Sequence, residues 1–162
     1  MISQHKWREV QTTGNEMHKP GNVAYHSSII HKDNMYIFGG NNTRSQAQME
    51  KGEACTDEYC DKMFYLNLKT MSWSLLRTRG DDVYLRDEHT AVYDEESAQM
   101  IVFGGFVQGT RVNLISIYNF TNNSWKNVEY HQHVNLPCAR SGHSAVVHGG
   151  NMYVFGGKND DS

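Results

Sequence analysis

Apolar and aromatic residues in this chain come in short runs broken by polar stretches, among them MYIFGG, KMFYLNL, VNLISIYNF and HSAVVHGGNMYVF. The runs are rich in aromatic and β-branched residues, which pack well on a pleated surface, and they are too short and too punctuated for helices. They predict strands. The interruptions HKDN from His31, KT at Lys69, DEESA from Asp94, TNN from Thr121 and HGGN from His148 carry the Asn, Asp and Gly that tight turns require. Pro20 and Pro137 fall between one group of strands and the next, where an amide that cannot donate to a ladder does no harm.

The runs also repeat. MYIFGG ends at Gly40, MIVFGG at Gly105 and MYVFGG at Gly157, each preceded by a His-bearing segment: YHSSII from Tyr25, EHTAVY from Glu88 and GHSAVV from Gly142. The same spacing separates His26 from Gly39 and His143 from Gly156, and His89 to Gly104 is longer by two residues, which fall in the polar turn DEESAQ. After each of the first two double glycines comes a spaced aromatic pair, Tyr65 with Trp73 and Tyr118 with Trp125, and Trp7 marks the tail of an earlier unit. Each unit reads as a four-stranded meander, with His in strand a, Gly-Gly closing b, Tyr in c and Trp in d.

This ordered set resembles the kelch repeat over nearly the whole chain. The resemblance implies an all-β, kelch-type β-propeller, and the strands on hand make an incomplete arc of about 2.75 four-stranded antiparallel blades. Residues 1–16 are expected to hold the last strand of a preceding blade, 17–77 and 78–128 a blade each, and 129–162 the first half of another. Propellers close with about four to eight blades. The segment is therefore expected to be part of a longer protein, or to assemble, with the missing blades supplied in cis or by self-association.

Composition narrows the function. Fifteen basic against eighteen acidic residues leave a net charge of −3, too little positive field to gather nucleic acid or anionic lipid. No apolar stretch reaches the length of a membrane span and the first residues lack a signal-like apolar region, so a cytoplasmic address is expected. Cys55, Cys60 and Cys138 are too few for a disulfide scaffold and are read as reduced thiols. Sequons at Asn41, Asn119 and Asn122 coincide with ordinary turn chemistry.

Gly39, Gly40, Gly104, Gly105, Gly156 and Gly157 do not form a phosphate loop, because each pair leads into a further strand; they fit positive-φ bends where blades pack closely. His26, His89 and His143 recur once per unit, which argues for packing and against a single catalytic base. Arg86 and Arg140 stand three residues before their His, where the kelch pattern often has Arg, and Val23 departs from it. Tyr65, Trp73, Tyr118 and Trp125 are expected between blades. Cys55 and Cys60, with Asp57, Glu58 and Asp61, and His131 with His133, could suggest zinc, but the spacing is wrong and the clusters lie in different loops. No metal, cofactor or catalytic residue is expected.

The a–b and c–d turns are tight, whereas the b–c and d–a connections at the other end are long: 41–61, 78–85 and 129–139. Length beyond what a turn needs is where recognition tends to reside. The reading is a scaffold or adaptor that presents these loops to a protein or peptide partner. The alternative is a piece of a metal-dependent propeller enzyme, an oxidase or lyase, with its site mostly outside this segment.

Overall fold

The computed structural model describes residues 7–42, 63–130 and 135–160. A short 3-10 turn at Glu16–His18 precedes β1 (Val23–Ala24), β2 (Ser27–His31), β3 (Asn34–Phe38), β4 (Asn41–Asn42), β5 (Met63–Asn67) and β6 (Ser72–Leu76). Next come β7 (Arg79–Gly80), β8 (Thr90–Asp94), β9 (Gln99–Phe103), β10 (Phe106–Val107), β11 (Thr110–Arg111), β12 (Ile115–Asn119) and β13 (Ser124–Asn127). The chain finishes with β14 (Ser144–His148) and β15 (Asn151–Phe155).

These strands build two blades and half of a third. Blade I is the antiparallel meander β2-β3-β5-β6, and blade II repeats it as β8-β9-β12-β13. The half-blade is the β14-β15 hairpin. The fold is all-β and kelch-type, and its sheets form an open arc that does not close into a ring.

The turns explain themselves locally. Gly149 and Gly150 both take positive φ in the two-residue connection of the last hairpin, and Lys32 does so in the first. Both c–d turns use one device: Asn67 Oδ1 accepts from the backbone N–H of Lys69 and Thr70, and Asn119 Oδ1 accepts from Thr121 and Asn122. Asn119, a sequon residue, thus has its side-chain oxygen engaged in a turn.

Directly opposed residues share a face of the sheet, so the pairings sort each blade into a forward face, toward the next blade, and a rear face. Ile29, Tyr36, Phe38 and Met63 on the forward face of blade I meet Met100, Val102, Tyr118 and Trp125 on the rear face of blade II. The Phe38 and Trp125 rings lie 4.9 Å apart. At the short-turn end the same interface continues as a ring cluster, where His31 stacks on Phe120 at 4.4 Å and its Nδ1 shares a 2.6 Å hydrogen bond with the Tyr93 hydroxyl. The hydrophobic core is this junction between blades, since a single meander has no interior of its own.

Four sequence expectations need adjustment. Tyr65 and Tyr118 are not equivalent: Tyr118 is paired with Trp125, whereas Trp73 is paired with Leu66, so Leu66 takes the rear-facing position and Tyr65 faces forward against Tyr36. Trp125 is 4% exposed, but Trp73 is only half-buried, because no preceding blade covers the rear of blade I among the described residues. Residues 7–12 carry no strand and Trp7 is fully exposed. A d strand needs a c strand beside it, and among the described residues none lies beside 7–12.

The fourth concerns 78–85, which is not a projecting loop. Arg79 and Gly80 pair in parallel with Ser124 and Trp125, giving blade II a fifth strand in the order β7-β13-β12-β9-β8. Asp81 accepts from the backbone N–H of Asn127, Asn127 Nδ2 donates to the Asp82 carbonyl, and Val83 is buried in the core. Thr13 bridges Ser72 in the same parallel sense in blade I. This covers an outer edge that would otherwise present unpaired N–H and C=O groups.

Candidate functional site

The double glycines, the histidines and their neighbours come together in one repeated junction. Gly39, Gly104 and Gly156 directly follow strand b of their units, with φ of 64°, 67° and 72°. A Cβ on Gly39 would stand 2.4 Å from the Arg86 carbonyl oxygen and 2.6 Å from His89 Cε1, and one on Gly104 would stand 2.7 Å from the Arg140 oxygen and 2.8 Å from His143 Cε1. The first glycine of each pair therefore makes room for the histidine of the next blade. The second glycine lies against its own strand a, Gly40 beside His26, Gly105 beside His89 and Gly157 beside His143.

Hydrogen bonds close the junction from both sides. Ser27 Oγ and His89 Nε2 share a bond of 2.6 Å, and Thr90 Oγ1 and His143 Nε2 share one of 2.8 Å. Each histidine ring also meets the phenylalanine of the preceding blade edge-on, Phe38 with His89 and Phe103 with His143. Along the backbone, Gly40 N–H donates to the Arg86 carbonyl and Gly105 N–H to that of Arg140, while Glu88 N–H donates to the Tyr25 carbonyl and Gly142 N–H to that of Glu88. Tyr25, Glu88 and Gly142 all sit at positive φ, 59°, 52° and 63°, the corner that aims these groups.

Electrostatics make the junction a structural one. Burial first, and then the Arg86 guanidinium, push His89 down to about 3, so the ring is neutral and a hydrogen-bonding wedge. Burial and Arg140 lower His143 in the same direction. Arg86 is buried and brought down to about 10, still cationic at neutral pH, and it donates to the carbonyls of Tyr84 and Leu114 and to Ser116 Oγ within its own blade. His26 is exposed, with no blade covering it among the described residues.

The end carrying the long connections is different in character. The b–c connection of blade II folds into the β10-β11 hairpin, turning at Gln108 and Gly109 with positive φ and exposed. Its base is fixed by Arg111, whose guanidinium lies 4.6 Å over the Phe106 ring, pairs with Asp160 and donates to Ser141 Oγ. Tyr130 donates to the Asn113 carbonyl and Asn113 Nδ2 to that of Pro137, tying the d–a connection alongside. Cys138 is a free, exposed thiol whose Sγ accepts from Arg140 and Asn159, which lowers its pKa. Cys55, Cys60, Asp57, Glu58, Asp61, His131 and His133 lie outside the described residues, as does most of 41–61. Among the described residues no three His, Cys, Asp or Glu side chains converge to hold a metal ion, and no helix is long and apolar enough to cross a membrane.

Two elements escaped the sequence reading. The parallel edge strand has a signal, Thr-x-Gly followed by Asn or Asp, at Thr12–Asn15 and again at Thr78–Asp81. The hydroxyl that follows each histidine, Ser27, Thr90 and Ser144, is likewise visible as a repeated His-Ser or His-Thr pair.

Comparison with known proteins agrees with this architecture. The chain is 29% identical over 167 residues to Kelch domain-containing protein 3 of Homo sapiens, covering 98% of this chain and 39% of that protein. It is 33% identical over 140 residues to Host cell factor 2 of Homo sapiens, covering 82% of this chain and 17% of that protein. The chain thus spans well under half of these relatives. The solved structure of YjhT superposes with a TM-score of 0.63 at 23% identity, over 88% of this chain and 36% of that one, and so shares the fold. Residues 46–162 match the KLHDC2/KLHL20/DRC7 Kelch-repeats domain, and the chain belongs to that family.

Proposed function

We propose that this chain serves as a protein-interaction module, a rigid stack of blades that presents its b–c and d–a connections to a protein or peptide partner. The observation that carries the reading is where the repeated residues are spent. His89 and His143, with the glycines that precede them and the Ser or Thr that bind them, are enclosed in blade junctions, and this leaves the unrepeated connections to discriminate between partners. Such connections on a rigid scaffold are the usual place for recognition. The exposed tip of the β10-β11 hairpin and, beside it, residues 129–130 and 135–139 of the d–a connection are the described parts of that surface.

The test is site-specific photo-crosslinking in the whole protein in cells, with the reactive residue at Gln108 or Leu136 on one side and at Glu95 or Thr121 in the tight turns on the other. Adducts with a discrete partner are expected from the first pair of positions only. Adducts confined to Glu95 and Thr121 would place recognition at the opposite end and refute the assignment.

A further inference from the structure

The β10-β11 hairpin has too little ladder of its own to hold a pose. Each strand is two residues long, Phe106–Val107 against Thr110–Arg111, and an isolated two-stranded hairpin is marginal in water even when longer. Gln108, Gly109 and Thr110 at its tip are exposed. Arg111 differs from them. Its side chain is only 15% exposed, and the guanidinium lies over Phe106 on its own hairpin while it crosses the blade boundary to Ser141 Oγ and the Asp160 carboxylate. The ground that receives it is rigid. Ser141 is buried and exchanges both backbone hydrogen bonds with Lys158, and a Cβ on Gly157 would stand 2.7 Å from the Ser141 carbonyl oxygen. Gly142, the next residue, donates its N–H back across the boundary to the Glu88 carbonyl, and His143 after it is the wedge between blade II and the half-blade.

We propose that Arg111 is the positioning residue of this hairpin, and that it makes the hairpin's pose conditional on a closed junction between blade II and the half-blade. Both of its acceptors adjoin the parts of that junction, Ser141 two residues before His143 and Asp160 three after Gly157. When His143 leaves its place over Gly104, Ser141 and Asp160 move with it. The guanidinium then loses two partners at once, and two-residue strands do not stay paired without it. Backbone bonds at Gly105, Phe106 and Val112 fix only the feet of the hairpin. A guanidinium suits this task because its planar fork donates in two directions while its face lies on an aromatic ring, which a lysine ammonium cannot reproduce. The linkage is reciprocal. A partner that grips the ordered hairpin tightens the junction by the same factor by which the closed junction favours the partner, typically about 5–150-fold. This consequence for binding rests on the reading of this end as the recognition surface, whereas the clasp itself does not.

The experiment is amide hydrogen exchange of the whole protein followed by mass spectrometry, with Thr90→Val loosening the junction by removing the hydroxyl that bonds His143. Thr90→Val alone is expected to speed exchange across 106–111 by about tenfold, the scale of one lost hydrogen bond. Arg111→Ala is expected to speed it at least as much, and Thr90→Val added to Arg111→Ala to speed it no further, the non-additivity of residues that act through one linkage. Asp160→Asn, at an exposed position, is expected to act in the same direction by a smaller factor, and it keeps the test intact should Arg111→Ala fail to fold. Exchange in the 115–127 strands of blade II is the reference and should be unchanged by either clasp variant. Equal hairpin exchange in the wild type and both clasp variants, or a Thr90→Val effect as large without Arg111 as with it, overturns the inference. Photo-crosslinking from Gln108 then joins pose to binding: adducts are expected to fall about fivefold or more in Arg111→Ala. Undiminished adducts from a loosened hairpin overturn the positioning role. No adduct from Gln108 in the wild type refutes the recognition surface alone, and the exchange cycle still decides the clasp.

Discussion

Replacing Gly39 with alanine tests the blade junction more sharply than any other single change, because Gly156→Ala supplies an internal control. Both glycines have left-handed backbones, φ 64° and 72°, so alanine at either suffers a comparable conformational penalty of about 1–2 kcal/mol. Only at Gly39 does the new methyl meet a neighbouring blade, 2.4 Å from the Arg86 oxygen and 2.6 Å from the His89 ring. The oxygen is backbone and the ring is wedged against Phe38, so neither yields easily, and overpacking of this sort costs about 1–3 kcal/mol more. The expected losses are therefore about 2–5 kcal/mol for Gly39→Ala and about 1–2 kcal/mol for Gly156→Ala. Urea denaturation followed by tryptophan fluorescence separates them, since Trp125 lies in the core between blades I and II. At a slope of about 1–3 kcal/mol per molar urea, the midpoints should differ by roughly 1 M. Equal losses would show that no blade packs against Gly39, and the junction described above would be wrong.

Three further outcomes follow from the same geometry. His89 titrates near 6.5 when unfolded and is held down to about 3 when folded; stability is therefore full above pH 6.5 and falls by up to about 1.4 kcal/mol per pH unit below it, with His143 acting in the same direction. Stability measured from pH 7 to pH 5 should fall more steeply in the wild type than in His89→Gln, and parallel profiles would contradict the buried neutral ring. Trp125→Ala should cost about 3–5 kcal/mol and the half-buried Trp73→Ala clearly less, to be read from chemical denaturation; equal costs would mean that Trp73 has a covering element. Cys138 should alkylate faster than an ordinary exposed thiol by peptide mapping with iodoacetamide, and Arg140→Ala should slow it, because the guanidinium N–H to Sγ favours the thiolate.

What the sequence made legible is the part fixed by short-range chemistry. Gly-Gly after an apolar run locates the end of strand b, and Asn67 and Asn119 locate the c–d turns, because each residue type does its work within a few positions of itself. Face assignment was less secure. Tyr65 stands eight positions before Trp73 and Tyr118 seven before Trp125, and in a strand that difference of one moves a side chain to the opposite face. Counting back from tryptophan through turns of equal length aligns Leu66 with Tyr118, so the signal lay in the spacing itself. The edge strand at Arg79–Gly80 was hidden for another reason. Two residues are too few for periodicity to register, and their partner strand lies far ahead in the chain.

The histidines show why a repeated motif can identify the fold so firmly and the partner so poorly. His89 and His143 each serve the blade before them, filling the space left by that blade's glycine and binding that blade's hydroxyl, so their identity is set by a requirement both junctions share. Recognition must draw on residues free of that requirement, and the chain places them directly after the junction ends. Gly105 N–H is held by the Arg140 carbonyl of the half-blade, the next residue, Phe106, opens the β10-β11 hairpin, and Val112 returns from it to bond the Gly105 carbonyl while accepting from Arg140 N–H. The hairpin is thus anchored to two blades at once. Loosening the junction at Gly104 should release its base as well as destabilise the stack, so a partner gripped by this hairpin would lose affinity from a substitution that never touches it.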